Sequence, residues 1–226
     1  MIIRTLITLL LAVPAFWLTM RYNMHMFQLN VYMNGEQRAW IRKNFRLQWV
    51  LVFAMILGIL RMLAAFTKIG WLTWIMDILC WVTLITIILV YRIMKEMHQK
   101  KKLVFTPRVK RMIATISVLS VLLLIVAFTV PFRMSNMYRI ASGLSAVSGM
   151  LTFLVGSQLW MQMLARTINQ PIEKGVNNHY INDAKRILKS VPDLTIIGVT
   201  DSYGKTSVKF FLQTLQIGRA SCRERV

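Results

Sequence analysis

Cysteine, histidine and acidic residues are all scarce in this 226-residue sequence. It contains two cysteines, three histidines and eight Asp and Glu residues. Cys222 lies close to the C-terminus and Cys80 stands alone in an apolar segment, so a disulfide framework and a cysteine-based metal centre are excluded. Because His25, His98 and His179 lie far apart in polar segments, we assign them no metal-binding or catalytic role.

Charged residues are also few. They make up 16% of the sequence, against about 25% in soluble domains, whereas 56% of the residues are hydrophobic. This is the composition of a membrane protein. The 28 Lys and Arg give a formal net charge of +20, which would also suit a nucleic-acid-binding protein. We reject nucleic acid as a partner because the basic residues flank apolar runs and form no motif of a nucleic-acid-binding fold.

Five apolar runs are each long enough to cross a bilayer as a helix. The expected spans are residues 2–20, 47–66, 71–91, 112–132 and 140–165. Arg4 precedes the apolar core of the first run, but no persuasive cleavage site follows this core, so we expect the run to be retained and not removed as a signal peptide. The sequence therefore predicts an α-helical membrane protein with a transmembrane region over residues 1–165.

Basic residues are distributed asymmetrically over the connections between these spans. Connections 21–46 and 92–111 hold thirteen Lys and Arg, whereas residue 4 and connections 67–70 and 133–139 hold four. Connections rich in Lys and Arg stay in the cytoplasm. The sequence therefore predicts an N-terminus outside the cell and a cytoplasmic segment after the last span. A more specific function for the most basic connection, binding of anionic lipid headgroups, is compatible with this topology.

Two opposite charges lie inside consecutive spans. The short connection 67–70 makes the second and third spans an antiparallel hairpin, which places Arg61 and Asp77 at similar depth. We predict a buried pair, because pairing lowers the cost of a charge within the membrane, and we favour a structural role over an ion or substrate site. Exchange of the two charges is expected to restore part of the pairing.

Small and apolar residues recur with helical spacing towards the end of the chain. Ala141, Ser145 and Gly149 fall four residues apart, which favours close packing against another helix of the same chain. Residues 166–193 are expected to form a linker interrupted by a proline and then an amphipathic helix over 178–190.

Residues 194–207 have the pattern of a phosphate-binding loop. A short β-rich run leads through a polar loop to Gly204-Lys205-Thr206-Ser207, and a helix is expected to follow. A strand, a loop and a helix N-terminus in this order favour an anion, because backbone N–H groups and the helix dipole point towards it. Lys205 is the expected contact of the outer phosphates of a nucleotide, and the Thr206 hydroxyl is the expected Mg²⁺ ligand.

The same segment resembles the Gly-x-Thr-Gly-x-x-Gly-Lys-Thr loop of the Mur ligases, the ATP-dependent enzymes that add amino acids to peptidoglycan precursors. Residues 182–188 and Ser202-Tyr203-Gly204-Lys205-Thr206-Ser207 are most similar to the D-alanyl-D-alanine-adding branch and its membrane-attached relatives. The resemblance extends over residues 170–215, about a fifth of the chain. It implies that residues 194–215 begin an α/β P-loop ATPase domain.

The resemblance also implies a site, a reaction and partners. The expected contacts of the ATP phosphates are Gly198, Thr200, Asp201, Ser202, Tyr203, Gly204, Lys205, Thr206 and Ser207, with Mg²⁺ on Thr206. Such a ligase phosphorylates a carboxylate with ATP, and an amine then attacks the acyl phosphate to form an amide. The expected partners are the lipid bilayer, a peptidoglycan precursor, and an amino acid or dipeptide. The residues present identify no further catalytic group.

Asp201 stands where the Mur ligase loop has glycine. A carboxylate there faces phosphate oxygens, and its Cβ occupies space where backbone must approach closely. Two alternatives therefore stay open. One is a different amide ligase with this loop, such as a poly-glutamate capsule synthetase. The other is a non-catalytic membrane scaffold or regulator whose loop binds nucleotide poorly, which Asp201 favours.

The last residues of the sequence are expected to have a separate origin. Residues 217–226 resemble the in-frame translation of a common short-read sequencing adapter, and we exclude 216–226 from the fold. We therefore expect that the natural protein continues after residue 215. The chain by itself is expected to bind ATP weakly and to have no ligase activity, because one strand and a short helix do not form the sheet that positions the loop.

Overall fold

The computed structural model describes residues 1–66, 69–97, 103–134, 139–190 and 205–215. Their helices are α1 (Ile2–Leu29), α2 (Asn34–Lys43), α3 (Phe45–Ala64), α4 (Gly70–Met97), α5 (Pro107–Met134), α6 (Arg139–Gly156), α7 (Gln158–Lys189) and α8 (Lys205–Leu215). No β-strand occurs within these described ranges. The chain divides into two units, Met1–Lys174 and Gly175–Val226. The prediction of a predominantly α-helical chain is confirmed.

Several helices of the first unit are long and apolar enough to cross a membrane. The helices α1, α4 and α5 contain such segments by themselves, and the bent pairs α2–α3 and α6–α7 raise the number to as many as five. Large apolar side chains such as Leu10, Val82 and Leu122 are exposed on their surfaces. Continuous apolar surface of this kind suits contact with lipid better than contact with water. The first unit is thus compatible with a multi-pass membrane protein.

Five helices of the first unit form a bundle in which α1, α4 and α6 run in one direction and α3 and α5 run in the other. The Met1 end of this bundle contains Met1, Ala64, Gly70, Met134 and Arg139. The helix α6 packs against α1, α3 and α5, while α4 packs against α1 and α3. Because α1 and α4 both begin at the Met1 end, they are parallel neighbours.

Glycines bring the backbones of α3 and α6 into direct contact. A Cβ built on Gly58 would lie 2.5 Å from the Phe153 nitrogen and 2.8 Å from the Gly149 carbonyl oxygen. A Cβ built on Gly149 would lie 2.8 Å from the Gly58 carbonyl oxygen, and one built on Gly156 would lie 2.5 Å from the Leu51 carbonyl oxygen. This is the close packing within one chain that the small-residue spacing around Gly149 predicts.

The run of residues 140–165, predicted as one span, contains two helices. The chain bends by 76° between α6 and α7, at Ser157. The Ser157 hydroxyl and the Gln158 side-chain amide both donate to the Leu154 carbonyl, at 3.3 and 3.2 Å. These bonds satisfy a carbonyl at the end of α6 that a continuous helix would satisfy through its backbone. Hydropathy alone does not detect such a break, because apolar residues continue on both sides of it.

The helix α7 continues through Pro171, so the linker and the amphipathic helix predicted within residues 166–193 are helical up to Lys189 without interruption. Proline removes one backbone donor from a helix. Side chains on both sides of the proline bond to α5: Asn169 to Thr115 at 2.8 Å, and Glu173 to Arg111 at 2.6 Å. We infer that these contacts with α5 compensate for the missing backbone bond.

Candidate functional site

A buried cluster of charged side chains lies near the Met1 end of the bundle. Arg61 Nε donates to Asp77 Oδ1 at 2.5 Å, and both side chains are at most 1% exposed. The pair predicted from the hairpin of α3 and α4 is therefore confirmed. Arg4 of α1 also contacts the carboxylate, with its Nη1 atom 3.0 Å from Asp77 Oδ2. The sequence did not predict this second guanidinium.

Hydroxyl groups of neighbouring helices complete the cluster. Arg61 Nη1 donates to Ser145 Oγ, and Ser148 Oγ donates to Asp77 Oδ1 at 3.4 Å. Thr8 of α1 lies 3.2 Å from the Ser148 hydroxyl. The carboxylate of Asp77 is thus the point where α1, α3, α4 and α6 meet. In a low-dielectric interior such a satisfied polar network fixes the register of the helices that form it.

Arg4 differs from Arg61 in its position at the edge of the cluster. Its side chain is 13% exposed, and its guanidinium carbon lies 4.5 Å from the centre of the Trp74 ring. This distance permits a cation–π interaction. Arg4 therefore connects the buried carboxylate to the surface of the bundle, whereas Arg61 is enclosed.

The sequence contained a signal for Arg4 that hydropathy does not use. Arg4 and Thr8 are four residues apart in α1, and Thr73 and Asp77 are four residues apart in α4, so each helix has a short polar face. Such a face indicates that a polar partner is needed. It does not identify the partner, because spacing along one helix carries no information on which helix lies beside it.

The predicted nucleotide-binding loop is described only from its helix onwards. Outside the described residues lie Gly198, Thr200, Asp201, Ser202, Tyr203 and Gly204, and so does the strand predicted before them. The helix predicted after the loop is present as α8 and begins at Lys205. Thr206 and Ser207 are exposed in its first turn, which contains no acidic residue. This helix N-terminus is therefore favourable for an anion.

No cluster of three or more His, Cys, Asp or Glu side chains that could hold a metal ion occurs in the parts of the chain that the structure describes. The Mg²⁺ ligand predicted at Thr206 would act together with nucleotide phosphates and water molecules, which supply oxygen ligands in such sites. That assignment stays a prediction.

No protein-family model, no curated protein and no solved structure matches this chain. The resemblance to the Mur ligases therefore stays a prediction that depends on the loop residues themselves.

Proposed function

We propose that this chain is a multi-pass protein of the bacterial plasma membrane whose segment after the bundle begins the ATP-binding domain of an amide ligase of peptidoglycan precursor synthesis. The observation that supports this most directly is the position of Lys205-Thr206-Ser207 in the first turn of α8. Backbone N–H groups without helical partners and the positive end of the dipole lie at that position. A phosphate-binding loop requires this arrangement.

The resemblance implies the reaction of such an enzyme. The γ-phosphoryl group of ATP is transferred to a substrate carboxylate, which gives an acyl phosphate and ADP. A substrate amine then attacks the acyl carbon, and the amide forms with release of inorganic phosphate. In this chain Lys205 would neutralise phosphate charge, and Thr206 would bind the Mg²⁺ that supports the transfer. Both residues would act by positioning and electrostatic stabilisation.

Nucleotide binding by the purified full chain tests this proposal. Binding is expected to be weak, because two unit charges about 4 Å apart repel by roughly 4 kcal/mol at an effective dielectric of ~20, and Asp201 would face phosphate oxygens. Photo-crosslinking with an azido analogue of ATP captures weak binding. We expect Mg²⁺-dependent labelling that falls about tenfold in Lys205→Ala, since a hydrogen bond to a charged group contributes about 1.5–3 kcal/mol. Asp201→Gly is expected to increase the labelling.

The control is Lys189→Ala, which removes an exposed cation from the end of α7 and should leave the labelling unchanged. Equal labelling of Lys205→Ala and the unaltered chain would overturn the proposed nucleotide site. If Lys205→Ala lowers the labelling but Asp201→Gly does not raise it, only the charge argument about Asp201 is wrong.

Asp201 favours a second candidate, a non-catalytic membrane scaffold or regulator. This candidate differs from the ligase in what the loop does, because a degenerate loop has no specific need for Lys205. It predicts that Lys205→Ala leaves the labelling unchanged, both in the otherwise unaltered chain and in a chain that also carries Asp201→Gly. The same set of variants thus distinguishes the two functions.

The membrane topology is a separate part of the proposal. Five spans, formed by α1, α3, α4, α5 and α6, would place the Met1 end outside the cell and the loop in the cytoplasm. The support is the excess of thirteen Lys and Arg in connections 21–46 and 92–111 over four on the other side. ATP is available on the side where this topology leaves the loop.

Cysteine labelling in intact cells measures this topology. Lys110 and Arg133 are exposed near opposite ends of α5, so each can be replaced by cysteine in a background that lacks Cys80 and Cys222. We expect a membrane-impermeant maleimide to label Arg133→Cys in intact cells and Lys110→Cys only after lysis. The reverse pattern would show that the charge asymmetry has been assigned to the wrong side.

A further inference from the structure

We propose that the Met1 end of the bundle binds the phosphate group of a lipid headgroup through Arg4 and the adjoining N-terminal ends of α1 and α4. The proposal requires that the bundle lies in a membrane. It is independent of nucleotide binding and of the ligase reaction, and it holds for either orientation of the bundle.

The first argument is an imbalance of charge. Arg61 and Asp77 are both buried and form a pair at 2.5 Å, so they compensate each other. Arg4 shares the same carboxylate at 3.0 Å. The other acidic residues among the described part of the first unit, Glu36, Glu96 and Glu173, belong to the opposite end. Within this cluster two guanidinium groups thus share one carboxylate, so one positive charge has no anion of its own among the described residues, and a charge near low-dielectric surroundings requires one.

The second argument is the parallel arrangement of α1 and α4. Arg4 Nη1 lies 3.3 Å from the Thr73 hydroxyl, which brings the first turns of the two helices together. Neither first turn contains an acidic residue, and α1 has no side-chain cap. The positive ends of two dipoles thus lie side by side, each with backbone N–H groups that have no helical partner. An anion bound at this point is stabilised by both helices and by the Arg4 guanidinium.

The third argument concerns depth, and it favours a lipid phosphate over a free anion. Trp74, whose ring lies beside the Arg4 guanidinium, is 52% exposed, and Trp71, one turn earlier in α4, is 67% exposed. Tryptophan in this situation is typical of the headgroup region of a bilayer, where lipid phosphates also lie.

A surface for the acyl chains lies on the same helix as Arg4. An apolar groove on α1 is lined by Ile3, which precedes Arg4 in the sequence, and by Leu6, Ile7, Leu10 and Val13. It contains no charged side chain among its lining residues. A phospholipid could therefore place its phosphate at Arg4 while one of its acyl chains follows α1 into the membrane.

Native mass spectrometry of the purified full chain measures this binding. The probes are dioleoyl phosphatidylglycerol, the diacylglycerol with the same acyl chains but no phosphate, and inorganic phosphate. We expect retention of phosphatidylglycerol about tenfold above diacylglycerol, and a loss of about tenfold in Arg4→Gln, as one charged contact to a phosphate implies. The matched control is Arg133→Gln, an exposed cation at the same end but at the C-terminus of α5, and it should stay within about twofold.

Two further variants separate binding from folding. Arg4→Lys keeps the charge and should keep most of the preference for phosphatidylglycerol. Trp74→Leu keeps Arg4 and should weaken retention by about threefold, as expected for the loss of a partly exposed aromatic contact. Together they decide the outcome even if Arg4→Gln gives too little folded protein.

Three results would overturn the proposal. The first is equal retention of phosphatidylglycerol by the unaltered chain and Arg4→Gln. The second is a lower thermal midpoint of Arg4→Gln with an unchanged ratio of phosphatidylglycerol to diacylglycerol in the folded fraction, which would make Arg4 purely structural. The third is inorganic phosphate that binds as tightly as phosphatidylglycerol and displaces it, which would identify a free anion as the ligand.

Discussion

Asp77→Asn is expected to lower the free energy of unfolding by about 3–5 kcal/mol, because removal of one partner leaves a buried charge uncompensated. Arg61 is fully buried and has the Asp77 carboxylate as its counter-ion at 2.5 Å. Arg4 loses the same partner, so the variant leaves two guanidinium groups beside a neutral amide. Unfolding in increasing concentrations of a denaturing detergent measures this loss of stability. The yield of monodisperse protein is a second readout.

The control for Asp77→Asn is Asp183→Asn. Asp183 pairs with Arg186 at 2.7 Å on an exposed surface of α7, and such pairs contribute at most about 1 kcal/mol. Its unfolding should therefore be close to that of the unaltered chain. If the two variants lose stability equally, burial of the pair in α3 and α4 is not what makes it important.

Arg4 changes the outcome expected when the charges of Arg61 and Asp77 are exchanged. From the sequence alone, the exchange is expected to restore part of the pairing. In the structure Asp77 Oδ2 accepts a hydrogen bond from Arg4 Nη1 at 3.0 Å. An arginine at position 77 would therefore face Arg4. We therefore expect the exchanged protein to be no more stable than Asp77→Asn, and the further change Arg4→Gln to restore part of the loss. Recovery by the exchange alone would show that Arg4 is not coupled to the pair.

Gly149→Ala is expected to destabilise the bundle by about 1–3 kcal/mol or more, because the added methyl group would meet backbone and not a movable side chain. Its Cβ would lie 2.7 Å from the Met62 nitrogen, and α3 and α6 would have to separate to admit it. Gly58→Ala and Gly156→Ala should have effects of the same size for the same reason. Gly143→Ala should cost less, since its Cβ would meet the Phe128 ring at 2.9 Å and that ring can move.

Gly175→Ala provides the matched control for these substitutions. No atom lies within 4 Å of a Cβ built at Gly175 in α7. Alanine is favoured over glycine inside a helix by about 0.5–1 kcal/mol, so this variant should be neutral or slightly more stable. The measurement is the same detergent unfolding. A loss for Gly175→Ala equal to that for Gly149→Ala would contradict close backbone contact as the cause.

The sequence by itself determined the properties that depend on residues close together along the chain. The length of each apolar run determines whether a helix can cross a membrane, so the helical class and the approximate position of the helices were predictable. The connection between α3 and α4 is short, so the two helices form a hairpin with Arg61 and Asp77 at similar depth. Their pair was therefore also predictable from the sequence. The phosphate-loop pattern likewise predicted a helix that the structure begins at Lys205.

Tertiary structure alone decided which helices are neighbours and where side chains replace backbone bonds. Arg4 joins Asp77 because α1 packs parallel to α4, and hydropathy does not encode that choice. Where α6 ends at Gly156, the side chains of Ser157 and Gln158 satisfy the carbonyl of Leu154, whereas α7 passes through Pro171 while bonded to α5 on both sides. Local sequence specifies the preference of each segment, but the partner that satisfies a buried polar group is fixed only when the helices pack.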